Sequence, residues 1–224
     1  RGSVLVAPFG GAEARFSTAP FCVGVPRGDD PPVVLDFATS IVAEGKVLVA
    51  YKGGKPLPEG ALIDENGTHT SEPEVLYGSA GPDAPPTERN GYGAIRAMGD
   101  HKGSGLAFIC ELLGGSLTGN RATGIEGEHF ANGMLSIYLS VEVFDQGGGF
   151  ADDIKRYIDY VKSAKRANAD EPILVPGDKE RSVKADRLAN GVPMSEETWK
   201  DIVNTARRVG LGDEEIAEIA APMA

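Results

Sequence analysis

The sequence predicts an α+β fold in which strands come mostly early and helices mostly late. Three observations carry this. Short apolar runs bounded by Gly and Pro fill the first half, helical periodicities dominate from residue 99 onward, and no G-x-G-x-x-G opens a helix after a strand. The 224 residues suffice for one substantial domain or two small ones, and an apolar fraction of 41% is ordinary for a globular chain.

In chain order, strands are expected at residues 4–7, 21–25, 33–37 and 46–51. Gly53-Gly54 and Asn66-Gly67 are turn signals that tolerate positive φ. GSAGPDAPPTERNGYG, residues 78–93, has no periodicity and reads as a surface loop. In GDHKGSGLAFICELLGGSLTG, residues 99–119, the spacing of Leu106, Ile109, Cys110, Leu113 and Leu117 predicts one buried face of a helix starting near Gly103. Gly119 and Asn120 suit its C-terminal end. LSIYLSVEV alternates, which predicts a half-buried strand over residues 135–143. Phe150, Ile154, Tyr157, Ile158 and Val161 mark an amphipathic helix whose charged side faces solvent. After PILVPGDKE, Ser195 is positioned to cap a helix containing Trp199, Ile202, Val203 and Ala206, and a last helix begins at Asp213.

The net charge of −11 argues against nucleic-acid binding and against docking on anionic membranes, both of which need a basic face. No apolar run is long enough to span a bilayer, and no signal peptide is visible. Cys22 and Cys110 lie far apart among apolar residues and read as buried free thiols of a cytoplasmic protein. The three histidines, His69, His101 and His129, have no metal-ligand spacing, so no metal site is expected. The chain begins at Arg1 and runs almost at once into the apolar VLVAP, which suggests the C-terminal portion of a longer protein.

Four stretches carry candidate chemistry. GDHKGSG would place free helix amides, His101 and Lys102 at a helix mouth, with Gly103 and Gly105 admitting a ligand to the backbone; this is an anion site suited to a phosphate. The same residues also read as a glycine-rich helix start with an exposed basic pair. VVLDFATS puts Asp36 at a strand end beside Thr39 and Ser40, suited to a polar ligand or to capping a following short helix. PGDKE reads as a turn with Asp178 free to cap or to accept from a hydroxyl. STAP places Thr18 in an extended segment before Pro20. A P-loop and a G-x-S-x-G elbow are both missing.

Five stretches in this order resemble one family. They are APFGGAEARFSTAPFCVGVP, VVLDFATSIVAEGKV, GGKPLPEGALIDENGT, GDHKGSGLAFICELLGGSLTG and ILVPGDKE, followed by NGVPMSEETW. The family is that of the malate/L-lactate dehydrogenases of the second, non-Rossmann type. It includes ureidoglycolate, sulfolactate and piperideine- or pyrroline-carboxylate oxidoreductases.

The resemblance implies a non-Rossmann fold that binds NAD or NADP on a mostly antiparallel mixed sheet flanked by helices, with further C-terminal helices. It also implies a homodimer. Residues 1–170 would form the cofactor-binding sheet domain. Residues 171–224 would form a helical segment packing on an N-terminal part. By resemblance Asp36, Phe37 and Ala38 line the cofactor, His101 and Lys102 contact it, Gly177, Asp178 and Lys179 make a third contact, and Thr18 lies near the substrate. The implied substrate is a small 2-oxo or 2-hydroxy acid such as malate or lactate, or alternatively a cyclic imino acid. Lys46 resembles the hydroxy-acid members more than the imine reductases.

Two departures stand out. The family commonly has Asn where this chain has Ala19, and its proton-donating histidine sits in an N-terminal Ser-His-Gly-like motif that is not in this sequence. A catalytic acid is therefore expected upstream of Arg1, and neither His69 nor His129 is assigned that role. A dinucleotide-binding module without catalysis, and an unrelated anion-binding or phosphotransfer protein, are the competing readings.

Overall fold

The structure, a computed structural model, describes residues 3–79, 89–125, 131–194 and 196–220. The chain divides into two compact units, Arg1–Pro176 and Gly177–Ala224.

The first unit is a mixed helix-and-sheet body with small antiparallel sheets. Strands β1 (Phe21–Arg27) and β2 (Asp30–Phe37) pair antiparallel, with Phe21 opposite Phe37 and Cys22 opposite Asp36. Gly28, at φ +62°, makes the reversal, and the register slips between Val25 and Arg27, where Pro26 has no amide to donate. The Phe21 and Phe37 rings meet at 5.8 Å.

A second sheet has the order β4 (His69–Thr70), β3 (Leu62–Ile63), β5 (Ala94–Ile95), all antiparallel. Val6 runs beside it, bridged in parallel to Ile95 and antiparallel to Phe16, so residues 4–7 are strand-like through a single bridge residue. Leu62, Ile95, Val6 and Val47 are fully buried and centre the core. Ile95→Val, removing one methylene there, is expected to cost about 1 kcal/mol in urea denaturation. An unchanged midpoint would show that this sheet does not centre the core.

Four sequence expectations need correction. Residues 46–51 belong to helix α1 (Glu44–Tyr51), not to a strand. VLVAY is a short apolar run that fits either period, and burial of Val47 with half-buried Leu48, Ala50 and Tyr51 follows the helical one. The residue preceding α1 is Ala43, so neither Asp36, Thr39 nor Ser40 caps it.

Residues 135–143 form no strand. They run without regular structure into the one-turn α4 (Val141–Phe144), and Ile137 and Leu139 are 77% and 72% exposed. A strand needs a neighbour for its amides, and none pairs with this segment among the described residues.

Helix α3 begins at His101 (His101–Cys110) and continues as a π-helix over Glu111–Ser116. Its inward side is Gly103, Ser104, Ala107, Glu111 and Gly115, whereas Ile109, Leu113 and Leu117 are 48%, 40% and 66% exposed. Small residues let the helix approach the loops beneath it, which leaves the large apolar ones outside.

Finally, Cys22 is an exposed free thiol, and Cys110 a half-buried one, rather than both being buried. Cys22 lies on the open face of a two-stranded sheet, which leaves it uncovered.

The short α2 (Glu74–Tyr77) precedes β5. Its Tyr77 hydroxyl donates to Glu44 at 3.2 Å, and burial, reinforced by that carboxylate, pushes the phenol up to about 12. Helix α5 (Phe150–Lys162) carries the predicted amphipathic pattern and lies against β1, with Ile158 buried.

The second unit holds α6 (Asp178–Asn190), which the sequence reading lacked, then α7 (Glu196–Arg208) and α8 (Asp213–Ala220). Ser195, His129 and residues 80–88 of the expected loop lie outside the described residues. No helix among the described residues is long and apolar enough to cross a membrane.

Candidate functional site

Three of the four candidate stretches converge on Thr39. This residue is fully buried two positions beyond the end of β2. Its amide and its Oγ1 both donate to the Thr18 carbonyl, each at 3.0 Å. Its own carbonyl accepts from the Met98 amide at 2.9 Å, and Met98 in turn accepts from the Gly103 amide at 2.9 Å. One buried threonine thus joins the STAP turn, the VLDFATS strand end and the mouth of α3.

The Thr18 side chain is half-buried, and its hydroxyl makes no hydrogen bond among the described residues. Ala19 follows at φ +32°, a conformation that costs energy for an L side chain and that Asn tolerates better. The family's usual Asn at this position therefore suits the backbone as well as any polar contact. Asp36 is exposed, and Phe37 and Ala38 are half-buried.

At the mouth of α3, His101 and Lys102 are both exposed. The Phe9 ring meets the His101 imidazole edge-on at 5.9 Å, and the Phe9 amide donates to Ser104 Oγ at 2.9 Å. The amides of Lys102, Gly103 and Ser104 are not free. They donate to the carbonyls of Gly99, Met98 and Asp100 at 3.1, 2.9 and 3.1 Å. An anion here would be held mainly by the imidazole and the ammonium rather than by helix amides, which corrects the sequence expectation.

The role expected of Gly103 also changes. A Cβ there would sit 2.8 Å from the Thr39 carbonyl oxygen and press still harder on that of Met98, so this glycine serves close packing rather than ligand access. Gly105 has open space and keeps the access reading.

Asp100 precedes the helix at φ +54° and accepts from Arg96 at 2.6 Å. Arg96 also donates to the Gly60 carbonyl at 2.6 Å. Phe9, Ile63, His69, Arg96 and Asp100 border a half-open cavity of about 320 Å³ beside the helix mouth.

Beneath the site lies Glu111, 8% exposed, at the start of the π-helix. One oxygen accepts from the Ser17 amide at 3.1 Å and the Ser17 hydroxyl at 2.6 Å, and the other accepts from the Thr123 amide at 2.8 Å. Burial alone would raise this carboxyl, but the bonds from Ser17 and Thr123 outweigh it and hold it below the usual range. The stability it contributes is complete above the ordinary glutamate value of about 4.3 and is lost as acid titrates the group below that. Sequence reasoning missed both Glu111 and Arg96. A lone carboxylate inside LAFICELLGG was the available signal for the first, while nothing local distinguishes the second.

In the second unit, buried Gly177 takes φ +93° immediately before α6. Asp178 occupies the first turn and pairs with Arg181 at 2.6 Å, so its carboxylate is already partly neutralised. Lys179 is exposed. Among the described residues no group of three or more His, Cys, Asp or Glu is arranged to hold a metal.

The donor set fits a pyridine dinucleotide. The exposed Lys102 ammonium and the His101 imidazole suit phosphate oxygens, and an exposed carboxylate at a strand end suits ribose hydroxyls.

A family model described as malate/L-lactate dehydrogenase matches residues 1–203. Hydroxycarboxylate dehydrogenase B of Escherichia coli is 36% identical over all of this chain and 60% of its own length. Delta(1)-pyrroline-2-carboxylate reductase 2 of Burkholderia multivorans is 32% identical over 88% of this chain and 55% of its own. Among solved structures, sulfolactate dehydrogenase from Methanocaldococcus jannaschii superposes with a TM-score of 0.73 at 26% identity, over 96% of this chain and 59% of that one. The chain therefore spans about 60% of the length of curated relatives that it matches.

Proposed function

Because this chain belongs to the malate/L-lactate dehydrogenase family, we propose that it forms the dinucleotide-holding part of an NAD- or NADP-dependent oxidoreductase. The enzyme interconverts a small 2-oxo acid and its 2-hydroxy acid in the cytoplasm. The observation that carries this reading is the junction at Thr39, which ties the Thr18 turn, the Asp36–Ala38 strand end and the His101-Lys102 helix mouth into one hydrogen-bonded unit. A non-Rossmann mode of cofactor binding is supported by the small antiparallel sheets and by the absence of a G-x-G-x-x-G turn.

When bound, a nicotinamide dinucleotide supplies the hydride exchanged with the substrate carbon. Lys102 and His101 donate to its phosphates, Asp36 accepts from a ribose hydroxyl, and Phe37 and Ala38 wall the site. The Thr18 hydroxyl, without a partner among the described residues, donates to the substrate acid. A cation for the substrate carboxylate and an acid for the new alkoxide are also required. By the family resemblance we assign the acid to a histidine in a portion of the protein outside this sequence, in keeping with the greater length of the relatives. The exposed Ile109, Leu113 and Leu117 face, together with residues 135–143, suits burial in a homodimer or against that portion.

The test follows nicotinamide absorbance for the complete natural protein with NADH or NADPH and, in turn, oxaloacetate, pyruvate and piperideine-2-carboxylate. Turnover of an oxo acid is expected. The pyrroline-carboxylate reductase among the relatives gives the cyclic imine reading its support, and turnover of the imine alone would establish it. Dinucleotide binding with no turnover of any of the three would leave a binding module.

A further inference from the structure

We infer that Glu111 is the positioning residue that aims the Thr18 hydroxyl at the bound acid. The inference rests on the oxidoreductase reading for what Thr18 contacts.

The backbone around Thr18 is fixed on both sides. Its carbonyl accepts two hydrogen bonds from Thr39. Ser17, immediately before it, gives both its amide and its hydroxyl to Glu111. The same Ser17 hydroxyl accepts from the Ala19 amide at 3.1 Å, immediately after it. Glu111 thus holds the residues on either side of Thr18 through one buried carboxylate oxygen, while the Thr18 hydroxyl itself stays without a partner among the described residues.

The clamp also holds strained backbone. Ala19 lies two residues from Ser17 at φ +32°, and Arg121 lies two residues from Thr123 at φ +62°. Neither is glycine, so both conformations cost energy that surrounding contacts must offset. Glu111 bonds a residue two positions from each. It also opens the π-helix, a widened turn that is frequent at functional sites. In that turn Gly115 lets the helix approach the 121–122 backbone, since a Cβ there would sit 2.6 Å from the Arg121 carbonyl oxygen. The widened turn, the carboxylate and two left-handed residues therefore meet at the support of one half-buried threonine. Glu111 bonds Ser17 directly and reaches the Ala19 amide through the Ser17 hydroxyl, so one carboxylate oxygen supports the backbone on both sides of Thr18.

Three variants of the complete natural protein test this: Ser17→Ala, Glu111→Gln and the double. Ser17→Ala removes one hydroxyl and keeps the buried charge, so it provides a folded variant should Glu111→Gln fold poorly. The expected result is a rise of about tenfold in KM for the acid in each single variant, with dinucleotide Kd within about threefold of wild type. Amide hydrogen exchange at residues 17 and 19 should quicken selectively. The double variant should be no worse than Glu111→Gln, because one connection is removed twice. If the wild type turns over, an unchanged KM in the single variants, additive losses, or unchanged exchange at residues 17 and 19 would each overturn the inference. Should the wild type turn over no acid, the oxidoreductase reading fails separately, and the exchange at residues 17 and 19 still decides whether Glu111 holds Thr18.

Discussion

Lys102→Ala is expected to weaken dinucleotide binding roughly 10- to 100-fold while leaving the unfolding midpoint unchanged. Lys102 is exposed in the first turn of α3, and it enters none of the ion pairs among the described residues. Truncating it removes no packing and leaves no buried group unpaired, so the fold has little to lose. A hydrogen bond from an ammonium to a phosphate is worth about 1.5–3 kcal/mol. The amides behind it donate to carbonyls of their own chain and cannot take over that role without rearrangement. Nicotinamide fluorescence titration at low salt is the measurement, since screening at high salt shrinks the difference. Lys102→Arg, which keeps the charge, should stay within a few-fold of wild type. Unchanged affinity in Lys102→Ala would remove Lys102 from the site and return the helix mouth to an ordinary glycine-rich start.

Gly103→Ala should be destabilising by about 2–3 kcal/mol and should cost dinucleotide binding as well. Helix propensity alone predicts the opposite sign, because alanine is favoured over glycine inside a helix by about 1 kcal/mol. The contact decides the matter. A methyl group at residue 103 meets the carbonyl oxygens of both Met98 and Thr39, which are rigid backbone and cannot swing aside. Relief requires α3 to move away from Thr39, which breaks the junction joining the three candidate stretches. Gly105→Ala is the internal control. Nothing lies within 4 Å of a Cβ there, so that variant should gain up to about 1 kcal/mol from propensity. Urea unfolding of the two variants in parallel reads both signs. A Gly103→Ala protein more stable than wild type would mean that α3 does not approach Thr39 as closely as described.

The local signals that could be read were those carried by neighbouring residues. The strands β1 and β2, the turns at Gly53 and Gly67, the amphipathic α5 and the last two helices, α7 and α8, all follow from spacing, glycine and proline placement. The family is legible from five stretches in order, and the family match bears it out. Helix α1 was misread because VLVAY satisfies two periods, and only burial of Val47 against the core distinguishes them. The apolar face expected for α3 was misread for a related reason. Periodicity locates a stripe but does not say that it faces inward, and here Gly103, Ala107 and Gly115 face inward instead.

The sequence by itself determined the α+β class, the family, and the candidate stretches around Thr18, Asp36, His101-Lys102 and Gly177-Asp178-Lys179. Each is written in residue type and short spacing, which survive without knowledge of what lies nearby. Tertiary structure alone decided that the first three stretches meet at Thr39, that Gly103 is needed for packing rather than access, that the helix amides are already occupied, and that Glu111 sits beneath Thr18. Apart from the helix amides, which donate to carbonyls only three to five residues away, those facts concern residues 21 to 94 positions apart in the chain. A hydrogen bond or a forbidden Cβ between such residues exists only once the folded backbone brings them within a few ångströms of each other, and no local pattern encodes that distance.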